Sequence, residues 1–345
     1  MMPIYIERNL FFQNFTGTVD LGNGQNDDED KAATHSLVFM VNGINSRFKL
    51  PIAHFFITSL TGSELANLVS DAIHRLNEVG VIITNITCDN PVNNWRMLEI
   101  LGSNLSWSSL KVSLAEKNIL GVPILATPDV VHLLKLVRNT LGDFKVLKDG
   151  NGNSISWNYL VELQKLQESE GYHLANRLRL KHIDWRKNKM STPIAAQTLS
   201  ESVADAIDYC REHLKLPAFM NSEATTKFLR TFNSLFDVLN SKSKFGKRMK
   251  APIDSKNFAE ICDFFETAKI YICDLKHVSG KRLVDGPRKK AFVGFLANME
   301  SFKHMYKAYV QTGHLNYILT YKCSQDHLGL ILSDLFLIIF NTFYT

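Results

Sequence analysis

The most informative stretch of this sequence is Gly80-Val-Ile-Ile-Thr-Asn-Ile-Thr-Cys-Asp89-Asn90. Its β-branched residues predict a buried strand, and a helix is predicted directly after it, over residues 92–101. A metal-dependent phosphoryl-transfer enzyme needs an acid at such a corner, because two or three converging carboxylates hold its hard cations. Asp89 is therefore predicted as a catalytic and metal-binding residue, provided that partner acids lie nearby.

The composition is typical of a soluble protein of about two domains, since 45% of the residues are hydrophobic and 21% are charged. A formal charge of +5 permits a nucleic-acid partner without requiring one. The five scattered cysteines contain no Cys-x-x-Cys pair, which favours reduced thiols over disulfides or a zinc finger. No signal peptide is apparent, and Ser333 and Asp334 interrupt the apolar stretch 328–340. That stretch predicts a buried helix or a degraded tail rather than a membrane anchor.

The first third of the chain predicts alternating strands and helices. The predicted strands cover residues 15–21, 36–44, 48–58, 80–89 and 122–126. Pro51 marks the third as an edge strand or a strand start, and Ser63 is predicted to cap a helix that Gly80 ends. This order fits an RNase H-like fold, and by pattern alone it fits several other α/β folds as well.

The middle of the chain is dominated by helical patterns, which indicates an insertion after the α/β start. The predicted helices cover residues 130–141, 157–168, 198–214, 222–239 and 257–272. Two basic stretches, 242–250 and 281–290, are interpreted either as phosphate contacts or as solvated loops. His132 and Lys135 share a helix face, and packing is favoured over phosphate contact for both.

Seven segments carry a resemblance to one family, in order along the chain. They are Gly17-Thr-Val-Asp-Leu-Gly22, Cys88-Asp-Asn90, Pro128-Asp-Val-Val-His-Leu-Leu-Lys-Leu-Val-Arg-Asn139, Ile194-Ala-Ala-Gln-Thr-Leu-Ser200, Phe236-Asp-Val-Leu-Asn-Ser-Lys242, Gly294-Phe-Leu296 and Leu315-Asn-Tyr-Ile-Leu-Thr-Tyr-Lys-Cys-Ser-Gln-Asp-His-Leu328. Together they resemble the P element transposases and the related THAP-domain-containing transposases. The resemblance implies an α/β fold: an RNase H-like mixed sheet interrupted by a mostly α-helical, GTP-binding insertion. It assigns residues 1–130 and 273–345 to the RNase H-like parts and 131–272 to the insertion.

The resemblance also implies three acids that hold Mg²⁺ for DNA cleavage and strand transfer. Asp89 matches the second acid. The first would lie just before Pro3, so the chain is expected to begin shortly after it, and Gly329 stands where the family has the third acid, a Glu. Neither Asp326 nor Asp20 is expected to restore the triad. The expectation is an inactive transposase-derived protein; the alternatives are a silent nucleotide-binding, DNA-binding or regulatory remnant, or an incomplete gene model of an active transposase.

The nucleotide-binding residues are also assigned through the resemblance. Asn233 and Asp237 are four residues apart on one helix and so share a face; the resemblance implies that they contact a guanine nucleotide. It implies further that Asp326 accepts hydrogen bonds from the base and that Arg177 contacts phosphate. The alternative for the Asn233–Asp237 pair is a helix with a polar stripe. No P-loop motif is present in the sequence.

The implied partners follow from the same resemblance. They are transposon-end DNA, a guanine nucleotide, and either a second copy of the chain or a full-length transposase, in the nucleus and without a membrane. The zinc ligands of a THAP module are absent from the sequence, so any DNA affinity is expected to be directed at the backbone and to be sensitive to salt.

Overall fold

A computed structural model describes residues 33–171, 174, 176–325 and 335–343. The described residues form two compact units. The sheet unit comprises residues 33–104, Val112–Thr127, 322–325 and 335–343, and the helical unit comprises Leu105–Lys111 together with the described part of Pro128–Tyr321.

The elements are named in chain order. The strands are β1 His35–Gly43, β2 Lys49–Ile57, β3 Ile82–Cys88, β4 Ser113–Lys117, β5 Pro123–Pro128, β6 Val146–Lys148, β7 Ser154–Ser156, β8 Lys276–His277 and β9 Leu335–Phe343. The helices are α1 Gly62–Glu78, α2 Val92–Ile100, α3 Val130–Phe144, α4 Asn158–Glu170, α5 Leu180–Ile183, α6 Thr192–Thr198, α7 Glu201–Glu212, α8 Glu223–Leu239, α9 Phe258–Asp274 and α10 Lys289–Met305.

The sheet unit is built on a mixed sheet with the strand order β2-β1-β9-β3-β5-β4. β1 is antiparallel to β2 and parallel to β9, while β9 is antiparallel to β3. All seven residues of β3 are buried, as expected for an inner strand covered on both faces. The predicted mixed sheet is therefore confirmed, and so is the strand-to-helix corner made by β3 and α2. Pro51 lies in β2, at the edge of the described sheet. The strand predicted at 15–21 lies outside the described residues.

The prediction for the C-terminal apolar stretch is wrong where the structure describes it. Instead of a buried helix or a degraded tail, Leu335–Phe343 forms β9, which lies between β1 and β3. Ile338, Ile339 and Phe340 are almost fully buried there. A short, continuous apolar run has no clear period, so a doubly buried strand and a buried helix give the same local pattern.

The predicted N-cap of α1 is also wrong by two residues. Thr61, not Ser63, caps the helix: its hydroxyl accepts from the Glu64 backbone N–H at 3.3 Å, and the Glu64 carboxylate accepts from the Thr61 N–H at 2.7 Å. This reciprocal capping box satisfies two backbone donors at once, which Ser63 does not do from inside the first turn. The helix ends at Glu78, and Gly80 follows in a left-handed conformation with φ of 81°.

The five helices predicted in the middle of the chain are confirmed, with ends shifted by up to three residues. The helix predicted at 198–214 is α7, which begins at Glu201 because Ser200 is its N-cap: the Ser200 hydroxyl accepts from the Val203 N–H. Thr198 is instead the last residue of α6.

The core of the helical unit is formed by aromatic side chains of α8 and α10. Phe232 meets Phe292 and Phe295 edge to face, with ring centroids 6.1 and 5.4 Å apart. α10 also packs closely on α3, since a Cβ added at Gly294 would lie 2.3 Å from the Leu133 Cδ2 atom. Within the described part of the chain, no helix has both the length and the apolar character needed to span a bilayer.

Candidate functional site

Asp89 directly follows β3 and precedes the first turn of α2. Its carboxylate Oδ1 accepts from the Asn94 side-chain amide at 2.6 Å, and the same amide donates to the Asp89 carbonyl at 3.3 Å. Asn90 holds the next position by accepting from the Trp95 indole N–H at 3.0 Å. The half-buried Asp89 carboxylate is therefore held against the first turn of α2.

The described residues contain no group of three or more His, Cys, Asp or Glu side chains placed to bind a metal ion together. Asp20, Asp326 and Gly329 lie outside the described residues. Two hard cations need several oxygen ligands, so the donor set in the described part does not fit a two-cation centre around Asp89. The catalytic and metal-binding roles of Asp89 remain predictions.

A polar cavity of about 320 Å³ opens in the helical unit. Three of the four residues predicted for the nucleotide site, Arg177, Asn233 and Asp237, line it. The fourth, Asp326, lies outside the described residues. Further lining residues are Leu134, Ala196, Gln197, Leu199, Ser200, Ser202, Phe236 and Lys250. The volume is at the lower end of the range for small-molecule sites, and the structure brings together residues that are far apart in sequence.

Asn233 and Asp237 are bonded to each other and to the start of α7. The Asn233 amide donates to Asp237 Oδ2 at 3.1 Å, and its carbonyl oxygen accepts from the Glu201 backbone N–H at 3.3 Å. Burial raises the pKa of Asp237 above its ordinary value, although Lys250 and the Asn233 hydrogen bond both oppose the shift. Because the Asp237 carboxylate is partly buried, its charged form needs hydrogen-bond donors to stabilise it. A ligand that brings N–H or O–H groups would supply such donors.

Other groups that line the cavity are suited to anions. Ser200 and Ser202 lie at the beginning of α7, where the helix dipole favours negative charge. Arg177 and Lys250 add two cationic side chains. Lys250 lies 3.9 Å from Asp237 Oδ2 and is 70% exposed, so the carboxylate does not hold it tightly. The cavity therefore combines a carboxylate acceptor with cationic side chains that suit an anion.

Lys250 and the two serines were not predicted as site residues from the sequence. Ser200 ends one of the segments that carry the family resemblance, and Lys250 ends the first basic stretch. In that stretch Lys242 lies 4.4 Å from the centroid of the Tyr321 ring and Lys244 lies over Phe245, so its lysines have different environments. Only the tertiary structure distinguishes Lys250 from the others.

His132 and Lys135 lie on α3, outside the set of residues that line the polar cavity. Burial is the main reason why the pKa of His132 falls to about 4, and Lys135 and Lys290 lower it further. A neutral, largely buried imidazole agrees with the packing interpretation of this residue.

The sheet and the helical unit together define a class of protein: an RNase H-like sheet interrupted in sequence by a helical insertion that carries a polar cavity. Comparison of the sequence with known families agrees with this class. The TNP-like RNase H N-terminal domain matches residues 3–102, and the TNP-like GTP-binding insertion domain matches residues 131–252. The chain belongs to the P element-type transposase family, which confirms the resemblance and the fold class.

Individual relatives support the same assignment. DNA transposase THAP9 of Homo sapiens is 33% identical over 324 residues, which cover 92% of this chain and 35% of that protein. The transposable element P transposase of Drosophila melanogaster is 23% identical over 291 residues, covering 83% of this chain and 36% of that protein. The chain thus spans about a third of the length of these curated relatives.

One solved structure supports the fold. The Drosophila P element transposase strand transfer complex aligns with a TM-score of 0.73 and 22% identity, covering 92% of this chain and 68% of that one. At this identity the likeness establishes the RNase H-like fold with its helical insertion, while residue roles rest on the geometry described above.

Proposed function

We propose that this chain is a transposase-derived protein of the P element type whose helical unit binds a guanine nucleotide and whose sheet unit does not itself cleave DNA. The observation that carries the nucleotide proposal is the convergence of Arg177, Asn233 and Asp237 on one cavity. The match of the GTP-binding insertion domain to residues 131–252 supports it further.

The groups around the cavity suggest a division of tasks. Arg177 and Lys250 hold the phosphates through charge, and the positive end of the α7 helix dipole favours them. Asp237 accepts from donor groups of the nucleoside, and Asp326 accepts from the base. Guanine suits a carboxylate because its Watson–Crick edge carries N–H donors, whereas the corresponding ring nitrogen of adenine is an acceptor.

Titration of the purified full chain with GTP and ATP by calorimetry tests the proposal. We expect saturable GTP binding and weaker ATP binding. Asp237→Asn and Arg177→Ala are each expected to reduce GTP affinity about tenfold or more, since each removes a charged hydrogen-bonding group. Asp263→Asn is the matched control, because Asp263 is an exposed carboxylate on α9 outside the cavity lining, and it should leave affinity unchanged. Absence of GTP binding by a folded protein would refute this part.

The catalytic silence rests on Gly329 at the position of the third acid, because glycine offers no side-chain oxygen to a metal. Asp89 would be one ligand of Mg²⁺ in an intact centre. The test is a nicking assay on end-labelled DNA with Mg²⁺ or Mn²⁺. We expect no cleavage, and cleavage that disappears in Asp89→Ala would show that the sheet unit is an active enzyme.

Within this proposal the chain acts as a nuclear protein that engages DNA or a full-length transposase without cutting. The supporting observation is that its relatives are named as DNA transposases and as part of a strand transfer complex. Pull-down of a full-length family transposase with the tagged chain, with and without GTP, measures this partner directly. If the chain bound neither the full-length transposase nor DNA, with or without GTP, this role would be refuted.

A further inference from the structure

The second basic stretch surrounds a separate, smaller cavity in the helical unit. This cavity has a volume of about 210 Å³ and combines apolar and cationic side chains. The residues used below are Phe144, His277, Lys281, Arg282, Pro287 and Arg288. None of them lines the nucleotide cavity described above.

Two aromatic side chains line this cavity. The Phe144 ring and the His277 imidazole meet edge to face, with centroids 4.7 Å apart and an interplanar angle of 68°. Phe144 ends α3, while His277 belongs to β8 at the beginning of a tight turn. That turn is fixed by the hydrogen bond from the His277 N–H to the Lys281 carbonyl at 2.9 Å and by Gly280 with φ of 86°. The aromatic groups are thus set by rigid local structure.

The charge around this cavity is strongly positive. Residues 281–290 include five Lys or Arg side chains and one acid, Asp285, for a net charge of +4. Asp285 accepts from the Trp107 indole N–H at 2.6 Å. Lys281, Arg282, Arg288 and Lys289 are exposed, so the surface attracts a polyanion.

Two of the guanidinium groups are held in place. Arg288 donates to Asp143 at 2.5 Å, and Asp143 also pairs with Arg186 at 3.3 Å. The Arg282 guanidinium lies 5.4 Å from the centroid of the Trp107 ring. Cations that are already oriented lose less conformational freedom when a phosphate binds, which favours binding.

We propose that this cavity receives one unpaired nucleotide of a DNA strand, with its base against Phe144, His277 and Pro287 and the flanking phosphates on Lys281 and Arg288. Aromatic stacking beside cationic groups is the usual way in which proteins hold single strands. A cavity of about 210 Å³ admits one small group, and the bases of an intact duplex are stacked and cannot enter it. The choice of DNA rests on the proposed function; the cavity and its charges do not depend on guanine nucleotide binding.

Fluorescence anisotropy with the full chain tests this site, using three labelled probes of equal length. They are an oligothymidylate, the same backbone with abasic positions, and a hairpin duplex. The wild-type chain is expected to bind oligothymidylate about tenfold more tightly than the abasic strand, because stacking of a base adds affinity beyond the phosphate contacts.

Variants separate the contribution of base stacking from that of the phosphate contacts. Lys281→Ala should weaken both single strands and reduce the slope of log affinity against log salt by about 0.7, the value for one phosphate contact on a single strand. Phe144→Leu should leave the salt slope unchanged and abolish the preference for bases. Lys165→Ala, an exposed lysine of α4, is the matched control and should behave as wild type.

Several results would overturn the proposal. Equal wild-type affinity for the thymidylate and abasic strands, or tighter binding of the duplex, excludes a nucleotide pocket even if Phe144→Leu fails to fold. An unchanged salt slope in Lys281→Ala removes the phosphate contact. If the wild-type chain bound DNA in a base-dependent way but did not bind GTP, only the guanine nucleotide proposal would be refuted. Failure of the DNA site and failure of the nucleotide site are therefore distinguishable.

Discussion

The two units use buried amide and hydroxyl groups in different ways. In the sheet unit, Asn85 of β3 donates to Thr127 of β5 at 2.6 Å and to Asn341 of β9 at 3.1 Å. Thr87 donates to the same Asn341 oxygen at 3.1 Å. All four side chains are fully buried and bonded to each other. Their hydrogen-bonding capacity is used to join three strands.

In the helical unit the corresponding groups border a cavity. Asn233 and Asp237 are bonded to one another, but both also line a space large enough for a ligand. From this contrast we infer that a polar cluster indicates a binding site when it opens on a cavity. It indicates a structural network when its members satisfy each other inside the core. The predictions below test whether substitutions in the two clusters affect different properties.

The largest effect is expected in the sheet. Asn85→Ala should destabilise the sheet unit by about 3 kcal/mol, since it leaves buried partners without a donor and creates a small cavity. Hydrogen exchange of peptides from β3 and β9, followed against urea concentration, measures this locally. GTP affinity should stay at the wild-type value, because the substitution lies in the other unit.

Asn151→Ala provides the comparison for that substitution. Asn151 is exposed in the turn between β6 and β7, and its replacement should change stability by less than about 0.5 kcal/mol. If Asn85→Ala behaved like Asn151→Ala, the buried network would contribute nothing measurable, and the contrast between the two units would lose its basis.

The sequence predicts the elements around Asp89 well, because a β-branched run that ends at a helix start is a local signal. It does not predict β9, whose position between β1 and β3 depends on long-range pairing that no local period records. The residues of the polar cavity form an intermediate case. Arg177, Asn233 and Asp237 were assigned through family resemblance, and Lys250 was not, because convergence on a cavity is a property of the folded chain.

A smaller effect distinguishes the observed helix cap from the predicted one. Thr61→Ala should lower the free energy of unfolding of the sheet unit by about 1 kcal/mol, because it removes the acceptor for the Glu64 N–H. Ser63→Ala, two residues along on the exposed surface, should cost less than about 0.5 kcal/mol. Hydrogen exchange of α1 peptides against urea concentration gives an unfolding midpoint for each variant. Equal midpoints would mean that the capping box does not stabilise α1.

The smallest expected effect is a gain in stability. Because burial raises the folded pKa of Asp237 above the ordinary 3.8, its charged form disfavours the fold at neutral pH. The stability that the protonated carboxyl provides is fully present below the unfolded pKa and is lost as the pH rises through the folded pKa. Asp237→Asn should therefore show a slightly higher unfolding midpoint than wild type at pH 7, and the difference should vanish at about pH 3.5.

The same Asp237→Asn chain is expected to bind GTP more weakly, so one substitution should stabilise the helical unit and impair its ligand site. This combination is characteristic of residues placed for binding rather than for folding. A lower midpoint at pH 7 together with unchanged GTP affinity would place Asp237 with the structural network of Asn85. The cavity would then be only a gap between helices, and the polar groups of the two units would serve the same purpose.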